Sequence, residues 1–363
     1  MSTLLLSIVT PVFNEALNLR EYMRRVQGVA DQLREQDIDV EVVLVDDRSS
    51  DESPRIVEEF VNTIPRVLSI RLARNCGSHS ALAAGLSHCN GDCAVLMAAD
   101  LQDPPETILE FVTLWKQGFD VVWAARLKRE GETLSTRFLA RVYYWVMRRL
   151  GLPEMPEGGA DFVLIDRKVI SVYTRVPEKN TSIMGMLMWL GFRQTAIGYV
   201  KESRHAGEGK WTLSKKLKLF VDSVVSFSYV PVRLMSVSGA MISSLGFLYA
   251  IVVVANAFRG ESVQGWSSLI VVLLILGGFQ LLMLGILGEY IWRTFDEVRG
   301  RPRFIVEKVL ASSNDLRVAG AGPTGSPGGR ASEPPTGPAP AIQLVDTRLD
   351  ENGLVGATSE RHL

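Results

Sequence analysis

Two long apolar runs, residues 237–258 and 267–291, constrain this chain more than any other feature. Each reaches the roughly 20 residues that a helix needs to cross a bilayer. Only Arg259-Gly260-Glu261-Ser262-Val263-Gln264-Gly265 separates them, so the spacing predicts a helical hairpin. Lys215, Lys216, Lys218 and Arg233 precede it, and Arg293, Arg299, Arg301 and Arg303 follow. The connecting loop carries Arg259 alone, offset by Glu261, so the positive-inside rule predicts that both ends of the hairpin face the cytoplasm. A buried hairpin in a soluble protein is the competing reading, and the length of the runs argues against it.

The rest of the chain has a different texture. Residues 4 to about 200 alternate short β-rich runs with amphipathic segments: strands at 4–10, 40–45, 66–72, 94–97 and 120–125, with helices at 54–62, 80–87 and 105–117. Such alternation predicts an α/β domain, a mostly parallel sheet with helices on both faces. No charged, apolar and cleavable leader opens the chain, so this domain is expected in the cytoplasm. The expected divisions are a catalytic domain at 1–205, a juxtamembrane segment at 206–232, the hairpin at 233–292, a cytoplasmic return at 293–310 and a disordered tail at 311–363. Residues 134–150 and 211–229 mix basic, aromatic and apolar side chains in the manner of helices lying on lipid headgroups. A net charge of −1 over 363 residues argues against nucleic acid as a partner. Cys76, Cys89 and Cys93 lack zinc-ligand spacing and read as reduced thiols.

Oxygen-bearing side chains collect where strands are expected to end. Three clusters stand out: Thr10-Pro11-Val12-Phe13-Asn14-Glu15, Asp46-Asp47-Arg48-Ser49-Ser50-Asp51, and Ala98-Ala99-Asp100-Leu101-Gln102-Asp103-Pro104-Pro105. Ser49 with Glu52 fits a capping box, and Asp103 before two prolines fits an N-cap, so both are read as structural. Glu15, Asp46, Asp47 and Asp100 have no such role, and open α/β sheets bind ligands beyond the carboxyl ends of their strands. If residues 98, 100 and 102 lie in an extended segment, they share a face. Asp100 and Gln102 would then offer oxygens to Mg2+ or Mn2+, with a diphosphate and water completing the shell. Ala98 removes a third ligand from that face.

These motifs, with Arg74-Asn75-Cys76-Gly77, resemble those of the family 2 glycosyltransferases, and more narrowly the polyprenyl-phosphate branch. Ala160-Asp161-Phe162-Val163, Gly191-Phe192-Arg193-Gln194, the 204–211 segment and Leu287-Gly288-Glu289-Tyr290 extend the similarity over about residues 4–308. The resemblance implies a GT-A fold and inverting transfer of one hexose from a nucleotide sugar to an undecaprenyl or dolichyl phosphate. UDP-glucose is the first expectation for the donor, with GDP-mannose and other UDP-hexoses behind it. It assigns Pro11, Phe13, Glu15, Asp46, Asp47, Arg74, Asn75 and Gly77 to the nucleotide sugar, Asp100 and Gln102 to the metal, and Asp161, with Asp100, to the reacting centre. Arg204 and Lys210 would grip phosphate. The same resemblance implies an enzyme of the cell inner membrane, multi-pass, with both termini cytoplasmic and a homo-oligomer, a tetramer by analogy.

Three positions depart from the family pattern. Ala98 stands where an aspartate is usual, Met184 where an arginine precedes Gly185, and Arg48 where a glycine is usual. Ala98 and Met184 support the alternative of a non-catalytic membrane protein that binds a nucleotide sugar or tethers partners, whereas Arg48 bears only on loop geometry. A processive polysaccharide synthase is disfavoured, because the chain has no Gln-x-x-Arg-Trp motif and too few spans.

Overall fold

The computed structural model describes residues 3–128, 149, 161–176, 178–179, 181–202, 230–259 and 265–312. In chain order the elements are β1 (Leu4–Val12), α1 (Ala16–Arg34), β2 (Ile38–Asp46), α2 (Ser53–Thr63), β3 (Val67–Leu72), α3 (Ser78–Leu86) and β4 (Cys93–Leu96). A single 3-10 turn (Pro105–Thr107) then leads into α4 (Ile108–Lys116), followed by β5 (Val121–Lys128), β6 (Phe162–Asp166), α5 (Arg167–Tyr173), α6 (Ile183–Trp189) and β7 (Gln194–Val200). Two long helices, α7 (Val230–Phe258) and α8 (Trp266–Val298), precede a last strand, β8 (Val306–Ala311).

The eight strands form one sheet in the order β7-β5-β6-β4-β1-β2-β3-β8. Four of its seven pairings are parallel, as the sequence predicts, and three are antiparallel. Strand alternation divides the core in two. Cys93 and Val95 of β4 join the layer under α1, α2 and α4, with Tyr22, Phe60 and Phe111. Ala94 and Leu96 join the layer under α3, α5 and α6, with Leu82, Ile170 and Leu187. At about 1.5–3 kcal/mol for each fully buried Leu, Ile, Val or Phe, these layers dominate the stability of the fold. The α3 layer is tight: a Cβ on Gly85 would collide with the Val9 side chain and lie 3.1 Å from that of Val45.

Register decides where the chemistry gathers. Val12 lies opposite Asp46 on β1 and β2, Val9 opposite Leu96 on β1 and β4, and Leu96 opposite Val163 on antiparallel β6. The ends of β1, β2 and β4 and the start of β6 therefore share one edge of the sheet.

Three strands, β6, β7 and β8, are not among those expected from the sequence. β8 comes from beyond the hairpin yet pairs antiparallel with β3, Ile70 opposite Val309. The α/β domain thus extends past 205, and within the 293–310 return segment the chain is helix to Val298 and strand from Val306. α7 and α8 contain windows, Val232–Val253 and Val271–Val298, long and apolar enough to cross a membrane. Leu234, Phe247 and Leu281 are exposed along them, which suits association with lipid. A Cβ on Gly239 would stand 3.2 Å from Met283, so the two helices approach there. Among the described residues, a Cβ on Gly277, Gly278, Gly285 or Gly288 would meet nothing within 4 Å, although small residues there would permit close helix approach. The interfacial segments at 134–148 and 211–229, Arg204, Lys210 and the tail from 313 lie outside the described residues.

Candidate active site

The loops after β1 and β2 are stitched together. Asn14 N–H donates to Ser49 Oγ (3.0 Å), Glu15 N–H to Ser53 Oγ (2.9 Å) and Ala16 N–H to Asp51 Oδ2 (3.2 Å). Ser50 N–H donates back to Asn14 Oδ1 (2.8 Å), and Glu15 Oε2 accepts from the Asn18 amide (2.6 Å). The expected capping box does not form, because the Ser49 hydroxyl is already engaged across the two loops. α2 begins at Ser53 instead, whose N–H donates to Asp51 Oδ1 (3.0 Å). Arg48 takes the left-handed φ of 65° that a glycine adopts freely, and its side chain pairs with Glu307 of β8. Pro11, Phe13 and Glu15 remain half-exposed on this edge.

Asp46 and Asp47 are both buried, with different work. Asp46 Oδ1 accepts from Ser49 N–H (2.9 Å), and its other oxygen lies 3.4 Å from Arg71. Asp47 grips the loop ahead of α3, accepting from Cys76 N–H (2.7 Å) and Gly77 N–H (2.8 Å). Gly77, at φ 85°, permits the turn into that helix and leaves Arg74 and Asn75 exposed beside it.

After β4 the chain turns rather than continuing extended. Leu101, buried and at φ 59°, reverses it, and Gln102 N–H donates to Asp100 Oδ1 (3.2 Å). Alternation over 98, 100 and 102 is thus corrected: a turn, not a strand face, brings Asp100 and Gln102 together. Glu202 N–H pins the Gln102 carbonyl from the end of β7 (2.8 Å). Asp103 is no N-cap. It is buried, accepts from the Tyr199 hydroxyl, and lies 3.8 Å from Lys201. Burial pushes its carboxyl pKa up, against the pull of Lys201 and the Tyr199 bond.

Among the described residues no group of three or more His, Cys, Asp or Glu could hold a metal ion. Asp100 and Gln102 nonetheless fit the way Mg2+ is held when one or two protein oxygens share it with substrate phosphates. They would hold a metal with the diphosphate of a nucleotide, and poorly without it.

At the start of β6 the Asp161 side chain is 66% exposed and paired with Arg126 of β5. What desolvation it has opposes its ionisation, but the charges of Arg126 and then Lys201 outweigh that, so its pKa falls below the usual carboxylate value. Tyr199 lies close enough to Arg126 for that charge to act on the hydroxyl, and donates to Asp103, so Asp161 and the turn that carries Asp100 share these neighbours. His79 in the first turn of α3 is held neutral: burial, then the charge of Arg303, lowers its pKa to about 4. Arg126, Tyr199, Lys201 and His79 were not singled out from the sequence; only Arg126, a cation ending an apolar run, left a signal there.

Residues 7–174 match the family described as glycosyl transferase family 2. The chain is 42% identical over 309 residues, 85% of this chain and 95% of the relative, to a Bacillus subtilis protein described as uncharacterized glycosyltransferase YkcC. It is 34% identical over 304 residues (84% and 97%) to the SfII prophage-derived bactoprenol glucosyl transferase of Shigella flexneri. A prophage bactoprenol glucosyl transferase homolog of Escherichia coli matches at 33% over 305 residues (84% and 99%). The chain belongs to glycosyl transferase family 2 and is a glycosyltransferase, and its mixed sheet between two helical layers is the GT-A fold.

Proposed function

We propose that this enzyme transfers one hexose from a nucleotide sugar to a polyprenyl phosphate, undecaprenyl or dolichyl, at the cytoplasmic face of the cell membrane. The observation that carries the reading is the register of β1, β2, β4 and β6, which gathers Asp46, Asp47, Asp100 and Asp161 on one sheet edge in a chain that also has an apolar hairpin. Similarity to bactoprenol glucosyl transferases supports the acceptor and favours UDP-glucose as donor.

In this account a phosphate oxygen of the acceptor attacks the anomeric carbon from the side opposite the diphosphate. The bond from that carbon to the diphosphate breaks, and nucleoside diphosphate leaves with the bonding electrons, inverting the anomeric centre. A phosphate monoester is anionic at neutral pH, so no strong base is needed. Asp161, kept ionised beside Arg126, orients the reacting groups. Pro11, Phe13, Glu15, Asp46 and Arg71 would surround the nucleoside, while Asp47 holds the 74–77 loop against it. When bound, Mg2+ or Mn2+ would neutralise charge on the departing diphosphate, with Asp100 and Gln102 as its protein ligands. Arg204 and Lys210 would close over the phosphates. The basic flanks of the hairpin support cytoplasmic termini, and a tetramer remains the expected assembly.

The test is transfer by detergent-purified protein to undecaprenyl phosphate from a panel of labelled nucleotide sugars, with Mg2+, Mn2+ or chelator. A lipid-linked hexose that needs the metal is expected. No product with any donor and metal sinks the proposal, and donor binding without transfer points to a sugar-nucleotide binding protein.

A further inference from the structure

The chain that returns from the hairpin reaches the α3, α5 and α6 side of the sheet before it becomes β8. Phe304 and Val306 pack into that layer. Between α8 and β8, Arg303 donates from Nη1 to the Tyr173 hydroxyl (2.9 Å) and from Nη2 to the Thr181 carbonyl (3.3 Å). Its Nε is buried and has no partner among the described residues. Two residues before Thr181, Lys179 is anchored by its backbone, its N–H donating to Glu297 Oε1 near the end of α8 (2.9 Å). The Lys179 ammonium nitrogen is buried and likewise without a partner among the described residues. His79 Nδ1 is a third such atom, close enough to Arg303 and Asp161 for their charges to act on the ring.

Buried donors without acceptors are costly, and native folds retain few of them. Two of the three atoms belong to cations. Arg303 reaches the Thr181 carbonyl, two residues from Lys179, and its charge acts on the His79 ring. The three thus stand on neighbouring segments, with buried N–H groups that an anion would satisfy. Both cations are set by the end of α8: Arg303 lies on the segment that leaves it, and Lys179 bonds to Glu297 within it. The carboxylates gathered at the ends of β2 and β4 stand on other elements.

We propose that Arg303, Lys179 and His79 form a phosphate-binding pocket beside Asp161, and that it receives the phosphate of the lipid acceptor. The inference rests on the reading of this enzyme as a lipid-phosphate glycosyltransferase and adds where the acceptor's charge is held. Two cations match the charge of a phosphate monoester, and a neutral imidazole adds a hydrogen bond without adding charge. A lipid whose tail lies along the apolar hairpin would meet, at the end of α8, the groups that bind its head.

The full chain in detergent is titrated with farnesyl phosphate, with farnesol as the uncharged control and with the nucleoside diphosphate, UDP or GDP, that binds the wild type. Arg303→Gln and Lys179→Gln should each weaken farnesyl phosphate by about 10- to 100-fold, the effect of losing one charge-assisted bond, and leave farnesol and nucleotide unchanged. Arg303→Gln also loses bonds to Tyr173 and Thr181, so its folding is at risk. Lys179→Gln keeps its backbone bond and decides the question alone. Wild-type affinity in folded variants overturns the pocket, and so does a wild type that does not distinguish farnesyl phosphate from farnesol. A loss confined to the nucleotide overturns its assignment to the acceptor. If the variants lose phosphate binding while the wild type transfers no sugar, the pocket stands and the transferase reading falls. If both variants transfer with an unchanged KM for lipid, the pocket falls and that reading stands.

Discussion

Asp47→Asn tests whether this carboxylate shapes the donor site through the loop that it holds. In the native protein Oδ1 accepts from Cys76 N–H at 2.7 Å and Oδ2 from Gly77 N–H at 2.8 Å. Asparagine retains one acceptor and turns an NH2 group toward the other N–H. Loss of a charge-assisted bond costs about 1.5–3 kcal/mol, and a buried donor left unpaired costs about 1–3 kcal/mol. One effect works the other way: burial, helped by Asp46 and resisted by the two N–H donors, pushes the Asp47 pKa up, so a neutral side chain is easier to bury. The net expectation is a loss of about 2–4 kcal/mol, or roughly 5–15 °C in Tm for a domain of this size. Thermal unfolding followed by tryptophan fluorescence measures the first effect, and calorimetric titration with nucleoside diphosphate measures weaker binding as the start of α3 shifts. A variant with unchanged Tm and unchanged nucleotide affinity would refute the reasoning.

Asp161→Asn should lower kcat by about 100-fold or more, while in the wild type kcat stays free of an Asp161 limb between pH 5 and 8, because its pKa is depressed; a limb near pH 6 would return Asp161 to the role of base. His79 has a folded pKa of about 4 against 6.5 unfolded, so as pH falls below 6.5 the unfolded chain takes up the proton first. Stability is therefore lost between pH 6.5 and 4, by about 2 kcal/mol at pH 5, and His79→Asn should remove that slope in urea unfolding curves. Arg48→Gly relieves backbone strain of about 1 kcal/mol and loses an exposed pair with Glu307 worth about 0–1 kcal/mol, so urea midpoints should barely move.

Strands β1 to β5 were readable because each is a largely apolar run bounded by polar turns, whereas β7, though parallel to β5, is half exposed and left no such run. β8 was not readable either. Val306 to Ala311 is short and carries Glu307 and Lys308, and its partner β3 lies far back in the sequence. The acidic clusters were readable because oxygens after a strand are conspicuous, but their partners were not. Asp103 resembled an N-cap until the Tyr199 hydroxyl, from β7, proved to be its donor. The shared face of 98, 100 and 102 failed on Leu101, since a left-handed turn at a leucine leaves no mark in the sequence. Arg126, His79 and Lys201 meet Asp161 from separate elements, and only the assembled sheet brings them together.

The most direct measurement of the central claim is the identity of the nucleotide released as labelled lipid product accumulates. Attack by the lipid phosphate on the anomeric carbon must release one nucleoside diphosphate for each hexosyl-phosphate lipid formed, with the product mass that of one hexose joined through one phosphate. Equal amounts of the two, lost together in Asp100→Ala, are the expected result. Release of nucleoside monophosphate, or of diphosphate with no sugar on the lipid, would contradict the account.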